Sequence, residues 1–333
     1  MADRIRIYTR NGRGLCDVRA TAERTWTLNQ EGEAEFDLVT MDPACREDVL
    51  RFGNWVLIEN DKLEPWVGMI DVPQEWKRRY VHVHAYTPER QLLYRDVPRT
   101  AHLAGKSGNL FAHIFEICNR QENTVLTRGN VWMGGKDYPD ENWSGDSLAD
   151  YLQALCERSN AFYSFRPVTL YGSLLIYANW SQVTGPAVQD ALVESYNVED
   201  KDNSYLLQDE FRNELWGYGK GAKPDGRPTA RARDTASWSK YGLRQGNESY
   251  SDYNKESAVA AALQSALEKK AWPTAVFELG ILDVGNTWGR LRNGYTYPLS
   301  LWSVGWGVHT SARIESMYFD PARGKVDVKA TEV

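Results

Sequence analysis

The sequence predicts an α+β, mainly β protein, with two related antiparallel β-barrel domains and a small α+β module between them. Three observations lead there. Residues 1 to about 95 hold six short strand patterns separated by turn signals. A helical period replaces them through the middle of the chain, and strand patterns return after about residue 206. A Trp- and Gly-rich hairpin pattern also stands near each end, at 54–73 and at 289–308. The expected domains are 1–95 as the first barrel, 96–180 as the α+β module and 206–333 as the second barrel. Part of 175–205 is expected to return to the first barrel.

The elements follow in order. "RIRIYT", "TWTLN" and "AEFDLV" alternate apolar and polar residues, the period of a half-buried strand. "MDPACREDVLRFG" predicts one short helix, with Asp42 as N-cap, Pro43 at the first helical position and Gly53 after the end. "NWVLIEN", "PWVGMID" and "YVHVHAY" complete the first set of strands. From Thr87 the period changes. "PERQLLYR" reads as a short helix, and "SGNLFAHIFEICNR" as a longer one with its apolar stripe at Leu110, Phe111, Ile114, Phe115, Ile117 and Cys118. "SGDSLADYLQALCERSN" is a third helix, with Ser147 and Asp150 spaced as a capping pair. The strands "AFYSFRP" and "GSLLIYANW" follow.

In the last third, "FRNELWGYGKG" opens the returning β pattern, a basic loop is expected at 219–234, and "KESAVAAALQSALEKKA" is one crossing helix. Four strands close the chain: "TAVFELGI", "TYPLSLWSV", "SARIESMYF" and "KVDVKAT". The last two form a hairpin around the turn "DPARG".

Composition bounds the function. With 333 residues the chain exceeds one typical core, and 42% hydrophobic with 25% charged residues predicts globular domains. The net charge of -6 argues against a protein whose task is to grip nucleic-acid phosphates. The 13 Trp and 18 Tyr suit sheet faces, interfaces or sugar platforms. No apolar run approaches the roughly 20 residues of a membrane span, and the start lacks a signal peptide's apolar centre. Cys16, Cys45, Cys118 and Cys156 are scattered without metal or disulfide spacing, so a chain made in a reducing cytoplasm is expected.

Four motifs bear on chemistry. "AGKSGN", Ala104 to Asn109, has part of a phosphate loop, but Thr100 stands where that loop needs its first glycine; a helix N-terminus is the expectation. His82 and His84 alternate on a strand and so share a face, yet spacing supplies no third ligand, and no metal site is expected. His102, His113 and His309 lie in separate segments. "GKDYPDENW" collects Asp137, Asp140 and Glu141 beside Tyr138 and Trp143, the residue types of a glycosidase cleft, but in one loop rather than on separate strands. Lys220, Lys223, Arg227, Arg231 and Arg233 make the 219–234 loop basic. No nucleophile elbow or H-E-x-x-H helix occurs. The chain is therefore expected to have no catalytic, cofactor-binding or metal-binding residues and to be no enzyme.

Taken together, "GEAEFDL", "FGNWVLIEN…PWVGMID" and "VHVHAYTPERQLLYR" resemble the opening barrel of phage tail hub proteins. "ARARDTASWSKYGLRQ", "LRNGYTYPLSLWSV" and "ARIESMYFDPARGKVDV" are similar to their second barrel. Asp234, Ser237, Tyr241 and Gly242 match a family pattern that precedes a helix. Gly294 matches the first residue of a "GD"-like turn, which Tyr295 continues in place of Asp. The resemblance implies a structural baseplate or tail-tip hub of two tube-like barrels per subunit. Three such chains would form a pseudo-sixfold homotrimeric ring in the virion tail. That ring would join the tail tube or a distal tail protein to a central fibre or spike, meet the tape-measure protein, and let DNA pass through its lumen without specific binding. The strands of Trp66 and Trp302 would face a core or a neighbouring subunit. Some relatives continue into peptidase or lysozyme domains, for which no room is expected after Val333. A carbohydrate-active or cell-surface-binding protein is the alternative.

Overall fold

The computed structural model describes residues 3–71, 75–98, 103–122, 124–135, 137–141, 147–182, 187–199, 204–207, 211–221, 226–251, 253–302 and 307–333. Thr100, His102, Trp143 and Lys223, singled out above, lie outside the described residues. The chain forms two compact units: residues 1–204 with 278–331 and 333, and residues 205–277 with 332. The stretch 206–333 thus contributes to both.

In the larger unit the first strands are β1 (Arg4–Tyr8), β2 (Gly14–Val18), β3 (Glu23–Thr27), β4 (Glu33–Val39), β5 (Trp55–Asn60), β6 (Leu63–Ile70), β7 (Glu75–Trp76) and β8 (Tyr80–Tyr86). There follow α1 (Glu89–Leu93), β9 (Leu103–Lys106), α2 (Ser107–Gln121), β10 (Leu126–Val131), β11 (Asp137–Glu141), α3 (Leu148–Ser159), β12 (Ala161–Leu170), β13 (Ser173–Gln182), β14 (Leu192–Val193) and the first residue of β15 (Ser204–Leu207), whose other residues belong to the smaller unit. The smaller unit holds β16 (Glu214–Tyr218), β17 (Thr229–Arg233), α4 (Thr235–Tyr241), β18 (Gln245–Ser249) and α5 (Glu256–Lys270). The chain closes with β19 (Ala275–Ile281), β20 (Thr296–Leu301), β21 (Val308–Asp320) and β22 (Lys325–Glu332).

One sheet runs β19-β22-β21-β3-β4-β8-β6-β5-β1-β2, with β20 on β21. Strands from the two ends of the chain meet where β21 pairs antiparallel with β3, Met317 opposite Trp26 and Phe319 opposite Arg24. The hairpin expected at 54–73 forms, whereas 289–308 supplies one described strand, β20, whose partner β21 lies beyond that segment. β5 pairs with β6 from Trp55–Met69 to Asn60–Leu63, and β20 pairs with β21 from Thr296–Arg313 to Leu301–Val308.

"WVLI" reads as a continuous apolar run because β5 is buried on both faces. Val56 and Ile58 join Ile5, Phe36, Trp66 and Val83 in one core. Trp55 and Leu57 turn to the other side, where Val67 and Met69 meet α2, α3, β12 and β13. α2 supplies Leu110, Phe111, Ile114, Phe115, Ile117 and Cys118, the stripe its sequence predicts, and α3 supplies Tyr151, Leu152, Leu155 and Cys156. The Ser147–Asp150 capping box is formed, and Asn160, left-handed at φ 51°, ends α3.

The helix expected over "MDPACREDVLRFG" does not form. The Asp42 carboxylate accepts from Ala44 N at 2.8 Å and closes a turn. Asn54 Nδ2 donates to the carbonyls of Asp48 and Val49, at 3.0 and 2.9 Å, capping acceptors a continuing helix would have used. One helical turn, Leu50 N to Arg46 O, is all that survives. Local side-chain hydrogen bonds outcompete the helical ladder.

Candidate functional site

Several sequence motifs acquire a structural role. Ala104–Lys106 of "AGKSGN" belong to strand β9, and Ser107 opens α2 as expected. The residues after β10 fold across that N-terminus. A Cβ on Gly108 would sit 2.2 Å from Trp132 O, and the Ser107 hydroxyl points to Gly134 O at 3.4 Å. Trp132 thus occupies the close approach to Gly108 that a phosphate cradle would leave open. "DYPDE" is not a loop: it is β11, paired antiparallel with β9, and Tyr138 Oη lies 3.0 Å from Ser159 Oγ. Cys118 and Cys156 are buried, and burial raises both thiols, Cys118 to about 11. They are core residues rather than nucleophiles.

The basic loop is shorter than expected, because Arg231 and Arg233 stand on β17. Both guanidiniums bind the carboxylate of Glu214 on the neighbouring β16, Arg231 at 2.6 Å, and Gln245 of β18 donates to the same group. The hydrogen bond from Arg231, ahead of those from Gln245 and Arg233, holds the Glu214 carboxyl down at about 2. One carboxylate thereby ties three strands of the smaller unit. The Asp234–Ser237–Tyr241–Gly242 pattern precedes α5, as expected, but forms a helix of its own, α4. Asp234 caps it by accepting from Ser237 N at 2.8 Å, the Ser237 hydroxyl donates to Ala271 O, and Gly242 ends it at φ +77°. Buried Asn213 donates to Gly242 O at 2.7 Å and accepts from Arg244 N at 2.8 Å. The motif therefore fixes α4 to the end of α5. Gly294 also takes the turn its motif implies, at φ +79°, just before β20.

A cleft of about 620 Å³ in the larger unit is lined by Trp66, Tyr163, Glu64, Glu89, Arg166 and Arg292, among others. Glu64 sits 3.8 Å from Arg292 Nε. Burial raises its pKa against the pull of Arg292 and Arg166, although 34% of the side chain still meets solvent. Glu89, on the short helix α1, is buried, and its Oε2 has no hydrogen-bond partner among the described residues. Burial raises its carboxyl to about 7, with bonds from Thr87 and its own backbone opposing. Nothing in "PERQLLYR" marks this residue, since glutamate at a helix start is normally solvated.

A pH dependence follows. Glu89's folded pKa lies above the ordinary value of 4.5, so its contribution to stability is complete below about pH 4.5 and is lost as pH rises through 7. Glu89→Gln should be more stable than the parent at pH 9 by up to roughly 3 kcal/mol, with the advantage shrinking toward pH 5. Urea denaturation of both proteins at pH 5, 7 and 9 checks this. Equal differences at all three would show that the carboxyl titrates normally.

His82 and His84 do share a face, as the alternation predicts, and the fold adds a residue that spacing could not: Glu35 of β4 lies against both rings. Trp66 is buried and Trp302 is 54% exposed, so the two hairpin tryptophans are not equivalent.

No family model matches the sequence, and no curated protein matches it. Solved structures do. The prophage MuSo2 43 kDa tail protein from Shewanella oneidensis aligns over 99% of this chain and 98% of its own, with a TM-score of 0.65 at 13% identity. Prophage tail protein gp18 from Listeria monocytogenes EGD-e covers 98% of this chain and 94% of its own, with a TM-score of 0.63 at 10% identity. A tail protein from Neisseria meningitidis MC58 covers 100% and 97%, with a TM-score of 0.62 at 11% identity. At such identities the likeness is one of fold, which this chain shares with these three tail proteins.

Proposed function

We propose that this chain is a structural hub of a phage or phage-like tail, located in the virion tail tip or baseplate and without enzymatic activity. The observation that carries the reading is the end-to-end likeness to three tail proteins, in which neither this chain nor theirs leaves a large part unmatched. Segments 1–95 and 206–333 are proposed as two related tube-like barrel halves, each carrying one of the hairpins β5–β6 and β20–β21. Three copies then present six such halves to a sixfold tail tube or distal tail protein and threefold symmetry to a central fibre or spike. A closed ring of identical chains needs heterologous contacts that repeat and close, and exposed aromatics such as Trp302 suit them. The net charge of -6 suits a lumen that passes DNA without holding it and sits beside a tape-measure protein.

Cryo-electron microscopy of assembled tails containing this chain should find three copies around the tail axis. Two or four copies, or its absence from purified tails, would overturn the proposal.

A further inference from the structure

We propose that Glu35, His82 and His84 form a binding site for a divalent transition-metal ion of the zinc, nickel or copper class, with Asp37 as the residue that orients it. The inference does not depend on the tail reading, because it rests on the register of two strands. β4 and β8 are antiparallel neighbours in which Glu35 stands opposite His84 and Asp37 opposite His82. Residues opposite one another in such a pair share a face, and so do His82 and His84, two apart on β8. Four side chains from two strands therefore converge.

Their geometry is that of ligands. One Glu35 oxygen lies 2.9 Å from His84 Nδ1 and the other 3.4 Å from His82 Nε2. The imidazole rings stand edge to face with centroids 4.4 Å apart. Candidate donor atoms of all three residues fall within 4.8 Å of one another. Nitrogen and oxygen donors around a tetrahedral zinc are about 3.3 Å apart, given bond lengths near 2.0–2.1 Å, so small side-chain rotations close the set. The side chains of His82 and His84 are 27% and 21% exposed, which leaves an entry path and a position for water.

Asp37 supplies the orientation. Its Oδ1 lies 2.7 Å from His82 Nδ1. When that nitrogen carries the proton and donates it to Asp37, the lone pair is on Nε2, the atom that faces Glu35. A carboxylate behind a ligating imidazole fixes tautomer and ring in this way. On the other side of β8, Glu75 stands opposite His82 and is paired with Lys77 at 2.6 Å. Glu35, Asp37 and Glu75 against Lys77 leave two negative charges beside the two imidazoles, and a divalent cation offsets both. Two nitrogen donors select a borderline transition metal over calcium or magnesium, which prefer oxygen.

The test uses the full chain, with any purification tag removed and metal stripped by chelation. Isothermal titration with zinc chloride at pH 7.5 should show one site per chain, and zinc should raise the thermal midpoint. His82→Gln/His84→Gln should abolish binding, Glu35→Gln should weaken it at least about tenfold, and Asp37→Asn should weaken it by about 10–100-fold. Far-UV circular dichroism confirms that each variant is folded. Calcium at the same concentration should give no heat. The proposal is overturned by no binding at 100-fold molar excess of zinc, by undiminished binding in the double histidine variant, or by calcium binding that excludes zinc.

Discussion

Replacing Asp3 by Ala is expected to destabilise the larger unit by about 3–5 kcal/mol, among the largest single effects available in the molecule. Asp3 and Arg24 have side chains that are both 0% exposed. The guanidinium meets the carboxylate with both Nη atoms, at 2.9 and 3.1 Å, and stacks 4.9 Å from the ring centre of Phe319. Asp3 also accepts from Asn60 Nδ2 at 2.9 Å and from Ala22 N at 3.0 Å, so it completes four hydrogen bonds in a dry site. Removing it strands a buried cation at the join of β3 and β21, where strands from the two ends of the chain pair. The double change Asp3→Ala/Arg24→Met should recover much of the loss, because no charge is then left unpaired. Urea midpoints of the three proteins decide it. A single variant within 1 kcal/mol of the parent, or a double variant worse than the single, would show that the pair does not hold this seam.

That pair was illegible in the sequence, and the reason is general. "ERTWT" and "MADRIRIYTR" show alternation, which places strands, but an arginine inside a strand is by default a solvated one. Its partners, Asp3 and Phe319, come from distant segments that only the folded sheet brings together. Glu35 escaped for the same cause: a third ligand on a neighbouring strand lies 47 residues away from His82, and register is set by the whole sheet. Local signals did better. The 3.6-residue stripe of α2, the Ser147–Asp150 box and the β5–β6 hairpin need only short-range information, and each formed as spaced. Where a local expectation failed, at residues 41–53, the competitor was also local, an Asp42 turn and an Asn54 side chain reaching back. In the smaller unit, charge pattern suggested a solvated loop for Arg231 and Arg233. Their actual partner, Glu214, sits on an adjacent strand with its side chain fully covered.

The second large effect separates folding from assembly. The sequence treats Trp66 and Trp302 alike, as aromatic residues of matching hairpins, but their surroundings differ. Trp66 is 1% exposed, and its Nε1 donates to Thr25 O at 3.0 Å. Its ring occupies the space beside Gly68, where a Cβ would come within 2.2 Å of Cη2. Trp66→Ala should therefore cost about 3–5 kcal/mol, the sum of lost transfer energy and an unfilled cavity. Trp302 is 54% exposed, touches His309 edge-on at 5.9 Å, and uses its backbone N–H rather than its indole to reach the Glu194 carboxylate. Trp302→Ala should change the isolated chain's stability by less than about 0.5 kcal/mol. If the hub proposal is right and β20 faces a neighbouring subunit, the same change lowers the number of finished tails, since an indole buried at an interface centre is worth 2 kcal/mol or more. Trp66→Ala lowers it too, but with a parallel loss of folded chain. Thermal unfolding of the isolated proteins and counts of completed tails by microscopy distinguish the routes. Normal tail numbers with Trp302→Ala would remove this hairpin from the ring contacts, and a Trp66→Ala chain of parental stability would contradict its place in the core.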